Sequence, residues 1–285
     1  MIPTGARTGG AEVVVVPTPR DVAGRSTTLL IAAIDLALRE REVAHVALTG
    51  GSTSAGVFRI LASPGVRDRV DWDRVHLWWG DDRFVLPSDP LCNARVADMT
   101  LFRTEEGGSG IPSPADHIHA FPLGRAFQEG RDADWCAREY AAELRGLVPV
   151  TADGWPRFDV VLLGIGPDGH LLSVFPGSAA FDGAEWAFGI PAPAHVEPRV
   201  PRVTLNPAIV PAARTVLAMV RGQAKAAILQ TIFGPERDPR RWPGQLALRP
   251  GATWVIDNAA AARLTKRPTG EERPGAGRHS GGFDG

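Results

Sequence analysis

Phe158-Asp159-Val160-Val161-Leu162-Leu163-Gly164-Ile165-Gly166-Pro167-Asp168-Gly169-His170 is the stretch that decides the fold, and it leads on into Ser173-Val174-Phe175-Pro176-Gly177. A short apolar run ending in clustered glycines reads as a buried parallel strand entering a tight loop, where open α/β sheets place their ligands. Glycines let the backbone approach a ligand closely, and a carboxylate and an imidazole two residues apart form an ionisable pair suited to proton transfer near neutral pH. Asp168 and His170 are therefore expected at the mouth of a site.

The same alternation extends outward over most of the chain. Val13–Val16, Val43–Leu48, Val75–Trp79, Val216–Val220 and Thr253–Ile256 join Val160–Leu163 as strands rich in β-branched or aromatic residues. Helical spacing of apolar residues predicts helices over Asp21–Glu40, Ser54–Leu61, Asp132–Leu147, Gly222–Ile232 and Ala259–Leu264. Alternation of this kind indicates an α/β fold, an open parallel sheet with helices on both faces. Residues 1–10 are expected to be a flexible N-terminus, 11–264 a single α/β domain and 265–285 a disordered tail of Pro, Gly and charged residues. Thr104–Asp116 and Pro191–Pro201 are expected as surface excursions, placed to flank the site.

The 285 residues carry 31 Lys and Arg against 32 Asp and Glu, a net charge of -1, so no electrostatic case exists for nucleic acid or a membrane surface as partner. The longest apolar segment, Leu29–Leu38, is broken by Asp35 and is too short to cross a membrane, and the N-terminus lacks a charged region followed by an apolar core. A cytoplasmic protein is expected. Cys92 and Cys136 lie far apart without CxxC spacing, which suggests neither a disulfide framework nor zinc. His117-x-His119 is better explained by a surface strand than by metal binding, and no metal site is expected.

Two further strand ends carry candidate chemistry. Gly50-Gly51-Ser52-Thr53 stands between a strand and a helix, where outward backbone N–H groups and the helix dipole can hold a phosphate; taken alone it is equally an ordinary capped turn. It is neither a Walker A loop nor a GxGxxG fingerprint. Gly80-Asp81-Asp82-Arg83, followed by Asn93, delivers two acids and a guanidinium that can grip hydroxyl or carboxylate oxygens, though alone it too reads as a surface turn. Three such ends at one edge of a parallel sheet argue for a shared site. Arg202 and Lys225 are cations near strand or helix starts that could complete a phosphate pocket.

Together these segments, over roughly residues 11 to 262, resemble the 6-phosphogluconolactonase family, within the larger group that includes glucosamine-6-phosphate deaminase. Gly50 to Thr53 looks like the family's phosphate loop, Gly80 to Arg83 its Asp-Glu-Arg segment, and Gly164 to Gly177 its highly specific Gly-x-Gly-Pro-Asp-Gly-His-x-x-Ser-x-Phe-Pro-Gly pattern. The resemblance implies a Rossmann-like modified parallel sheet, no metal or organic cofactor, and phosphate contacts from Arg202 and Lys225. It also implies hydrolysis of a small sugar-phosphate lactone, with His170 as base, Asp168 and Arg83 in support, and Asp81, Asn93 and Gly166 on the substrate side. A monomer or weak homo-oligomer is expected. Two positions depart from the pattern: Asp82 stands where the family usually has Glu, and Cys92 where Ser usually precedes Asn93, which puts substrate affinity at risk. The alternatives are a sugar-phosphate deaminase or isomerase, and a non-catalytic sugar-phosphate-binding regulator. Against the deaminase, the Glu that such chemistry uses five residues beyond the matching His is replaced by Phe175, which cannot relay a proton.

Overall fold

The computed structural model describes residues 6–103 and 108–264, so the expected tail at 265–285 lies outside the described residues. In chain order the elements are β1 (Ala6–Thr8), β2 (Ala11–Val16), α1 (Pro19–Glu40), β3 (Ala44–Leu48), α2 (Ser52–Leu61), β4 (Val75–Trp79), β5 (Asp81–Arg83), α3 (Asn93–Ala97) and β6 (Ile118–His119). There follow α4 (Leu123–Gln128), α5 (Ala133–Leu147), β7 (Val160–Leu163), β8 (Ala187–Ile190), β9 (Arg202–Leu205), α6 (Ile209–Ala212), β10 (Thr215–Val220), α7 (Ala226–Ile232) and β11 (Ala252–Asp257). All six expected strands and four of the five expected helices are present. Ala259–Leu264 instead makes a short 3₁₀ turn over Ala260–Arg263, because the Asp257 carboxylate accepts the Ala260 N–H and winds the chain tightly at once.

The main sheet runs β1-β2-β11-β10-β7-β3-β4-β6, parallel throughout except for β1. Its central strands β3 and β7 are buried along their whole length, which is why they read as apolar runs, interrupted only by His45 in β3. Ala6–Thr8, assigned from sequence to a flexible terminus, pair antiparallel with Ala11–Val13 as an added edge strand. The hairpin closes through Gly9 and Gly10, both at positive φ. α1 begins two residues earlier than its apolar spacing suggests. Thr18 and Asp21 form a reciprocal capping box there, with Pro19 in the first turn.

From β3 the chain lays β4 and β6 to one side, then returns with β7, β10 and β11 to the other. The carboxyl ends of β3 and β7 therefore flank a topological switch point, where the loops of an open sheet splay apart and leave a crevice. The Gly50 turn and the Gly164 loop both leave from these ends. Beyond β4 the chain leaves the main sheet to build a second one, β5-β9-β8, antiparallel, which the sequence analysis did not foresee.

His119 lies in a strand, as expected, but that strand is not on the surface: the ring is buried and stacked 3.9 Å from Trp78. His45, His76 and His117 gather beside it. The Glu143 carboxylate accepts from His119 Nδ1 at 2.5 Å, and His119 Nε2 shares a hydrogen bond with His76 Nδ1 at 2.9 Å. Trp78 Nε1 donates to His45 Nδ1 at 3.2 Å, a bond that a protonated His45 would lose. Burial first, and then the neighbouring imidazoles, push His45 and His76 down to about 4. Both are neutral in the folded protein, whereas the unfolded chain takes up protons below about pH 6.5. Stability is therefore lost as pH falls from that value toward 4. Asp82, raised by burial to about 6, opposes the trend over part of the range, because its carboxyl binds a proton more readily when folded. Two imidazoles outweigh one carboxyl, so Tm should drop between pH 7 and 4.5, and His76→Asn, which keeps a donor but not the titration, should flatten the drop. A Tm in wild type that is level across that range would contradict this.

Candidate active site

Beyond β7 the chain turns tightly: Gly169 N–H donates to Gly166 O at 3.2 Å and Gly166 N–H to His170 O at 2.8 Å. The turn folds the His170 ring directly over Gly166, where a Cβ would stand 2.0 Å from Nδ1, so only glycine fits. Asp168 Oδ1 receives His170 Nδ1 at 2.5 Å and the His170 backbone N–H at 3.1 Å. Burial alone would raise the Asp168 carboxyl, but the hydrogen bond and charge of His170, joined by its backbone N–H and by His195, hold it well below the usual range. An ionised carboxylate only accepts. His170 Nδ1 therefore carries a proton directed at Asp168, and Nε2 is the ring nitrogen turned away from that anchor. Leu172, at φ 54, is the one non-glycine residue with positive φ among the described residues, and it marks strain two positions from this imidazole.

The opposite wall comes from the second sheet, whose β5–β9 register sets Arg83 beside Arg202. Arg83 donates to Leu91 O at 2.7 Å, while its Nε is buried without a hydrogen-bond partner. Arg202, 4% exposed, donates to Pro198 O at 2.9 Å and Val200 O at 3.3 Å, and burial followed by the Arg83 charge lowers its pKa. Asp81 Oδ2 accepts from Ser173 Oγ at 2.6 Å, which fastens the loop after His170 to β5. Asn93 Nδ2 donates to Asp81 O at 2.9 Å; its Oδ1 is buried, unpartnered, and lies where a Gly50 side chain would start.

Asp82 and Cys92 prove to be structural neighbours of each other. The Asp82 carboxylate is wholly buried and accepts the backbone N–H groups of Arg83, Asn93 and Ala94, so it caps α3 rather than facing the cavity. Cys92 Sγ donates to the same carboxylate at 3.4 Å, the weak bond a thiol makes. The two departures from the family pattern thus meet at one cap.

Gly51 is the N-cap of α2 and supplies no side chain to its first turn, which leaves those N–H groups open to the cleft. The cleft has two adjoining chambers. One, about 450 Å³, is lined by Gly50, Gly51, Ser52, Thr53, Ser54, Arg221, Gly222 and Lys225 among others. The other, the His170 chamber, about 260 Å³, is lined by Asp81, Arg83, Asn93, Gly166, His170, Arg202 and again Gly50, Gly51 and Lys225. Arg202 therefore stands with Arg83 in the His170 chamber, apart from Ser52 and Thr53, and Lys225 borders both. Burial lowers the Lys225 pKa and the Asp168 charge raises it. None of Arg83, Arg202 and Lys225 forms a salt bridge among the described residues, a surplus of positive charge facing one cavity.

A family profile described as "Glucosamine-6-phosphate isomerases/6-phosphogluconolactonase" matches residues 17–256. The chain belongs to that family. The chain is 34% identical to the 6-phosphogluconolactonase of Streptomyces coelicolor over 83% of its own length and 88% of the relative's. To that of Mycobacterium leprae it is 32% identical, over 89% and 98%. The solved 6-phosphogluconolactonase of Trypanosoma cruzi superposes with a TM-score of 0.77 over 91% and 98% of the two chains, at 24% identity, and shows the shared fold.

Members of the glucosamine-6-phosphate isomerase/6-phosphogluconolactonase family share one fold across different reactions, so side chains must discriminate. At the position where the resemblance puts a proton-relaying Glu in the ring-opening deaminases, this member has Phe175, buried 4.7 Å from the His170 ring. Sequence reasoning missed His195, whose Nε2 lies 3.0 Å from Asp168 Oδ2, and also Glu197 and Arg221, which line the chambers. No local pattern announces them; Glu197 and Arg221 reach the cleft, and His195 reaches Asp168, through long-range folding. The segment 191–201 does flank the site, as its composition suggested.

Proposed function

We infer that the chain hydrolyses the δ-lactone of 6-phosphogluconate to 6-phosphogluconate. One observation carries this: His170 is anchored through Nδ1 to an ionised Asp168 on the wall of a cationic cleft, with the Phe175 ring beside it at the position where the ring-opening deaminases carry Glu. Lactone hydrolysis needs one base, donors for an oxyanion and a remote anchor; aldose–ketose chemistry needs a further acid or base, and Phe175 is neither.

The phosphate rests on the turn Gly50 to Thr53 with Lys225, and Arg202 adds its charge from the adjoining chamber. Binding energy from this remote group fixes the ester carbon beside His170. Nε2 takes a proton from water as its oxygen attacks the carbonyl, and the carbonyl π pair moves onto oxygen. Collapse re-forms the carbonyl and breaks the bond to the ring oxygen, which receives the proton from imidazolium Nε2. Asp168 stabilises the imidazolium meanwhile. Arg83 and Asn93, both on the lining of the His170 chamber, supply the polar groups that hold the oxyanion and the sugar hydroxyls. The enzyme acts in the cytoplasm on a free sugar phosphate.

The test is to generate the phosphorylated lactone in situ and follow its decay with and without the protein, alongside ammonia release from glucosamine 6-phosphate. Accelerated, saturable decay without ammonia is expected. Decay at the buffer rate would refute the reading, and ammonia release would replace it with the deaminase.

A further inference from the structure

Asp168 is held on both sides. Oδ1 receives His170, and Oδ2 receives Nε2 of His195 at 3.0 Å, so two imidazoles share one ionised carboxylate. The Phe175 ring lies between them, 4.7 Å from His170 and 5.8 Å from His195, the latter edge-on at 79°. The environments of the two imidazoles differ sharply. The His170 side chain is 16% exposed and lines the chamber that also holds Arg83 and Arg202, whereas that of His195 is 56% exposed. His195 belongs to the segment joining β8 to β9, which also places Val196, Glu197 and finally Arg202 on the chamber wall.

We propose that His195 is a positioning residue for the hydrolysis, locking the Asp168 carboxylate so that its other oxygen orients His170, and linking the seating of the 191–201 segment to the base. The proposal rests on His170 being the base. A carboxylate held by one donor can rotate about its Cβ–Cγ bond; a second donor on the other oxygen removes that freedom, and with it the misaligned His170 poses. The charged or titratable groups around this contact are Asp168 and His170, Lys225 at the start of α7, and Glu197 and Arg199 of the same segment, which pair with each other.

His195→Ala and His195→Gln distinguish this from a merely structural role, and the exposure of the side chain lets both fold. At pH 8, Ala is expected to lower kcat about tenfold with KM within threefold, as befits a lost orienting contact. Gln, a neutral donor of similar reach, is expected to restore most of kcat. Wild-type kcat in both variants would overturn the proposal, as would equal losses of kcat in both, or a loss that falls on KM instead of kcat. His170→Ala, run in parallel, separates the two failures: full turnover in that variant would sink the base assignment itself.

Discussion

His170→Ala is expected to lower kcat by about 10²- to 10⁴-fold, the usual contribution of a positioned general base, with the fold intact. The imidazole is only partly buried, and its removal leaves Asp168 still paired with His195, so no uncompensated buried charge is created. KM should change little, because the anchoring cations and the α2 turn are untouched. Lactone decay must be compared with the spontaneous rate, which sets the floor of the assay. A variant turning over within threefold of wild type would remove His170 as the base.

Gly166→Ala is expected to lose nearly as much, although glycine offers no functional group. The added methyl would stand 2.0 Å from His170 Nδ1 and 2.1 Å from Cε1, distances no pair of nonbonded atoms adopts, so the ring must swing off Asp168. Gly166 is not among the glycines held at positive φ, so alanine strains no backbone here and the loss comes from the displaced imidazole alone. Misplacing a catalytic group by about 1 Å can cost on the order of 10²-fold. The decisive measurement is the double variant Gly166→Ala/His170→Ala: if both act through one ring, its kcat equals that of His170→Ala. Losses that multiply instead would mean that Gly166 acts elsewhere.

Much of this arrangement is legible along the chain because its causes are local. A strand buried on both faces is mostly apolar, which exposes β3, β4, β7, β10 and β11 as runs despite His45 and His76 within them. A loop that folds an imidazole back over its own backbone must hold glycine, which is why Gly166 and His170 can be read as one motif. The small sheet was missed for the opposite reason. Each of its strands spans three or four residues, too short for a period of two to register, and β5 carries Asp81, Asp82 and Arg83 where apolar residues would have marked it. His119 was misjudged because nothing near it in sequence reveals that Trp78 and Glu143 enclose it.

The sequence by itself determined the parallel sheet, the three loop clusters at its carboxyl edge and the pairing of Asp168 with His170, since each depends on residues within a few positions of one another. Only the tertiary structure decided that Arg83 and Arg202 stand side by side, that Asp82 caps α3 instead of facing the cavity, and that His195 grips the far oxygen of Asp168. Those contacts join segments from 11 to more than 100 positions apart, and the entropy of closing such loops is overcome by burial of the whole core rather than by any local preference.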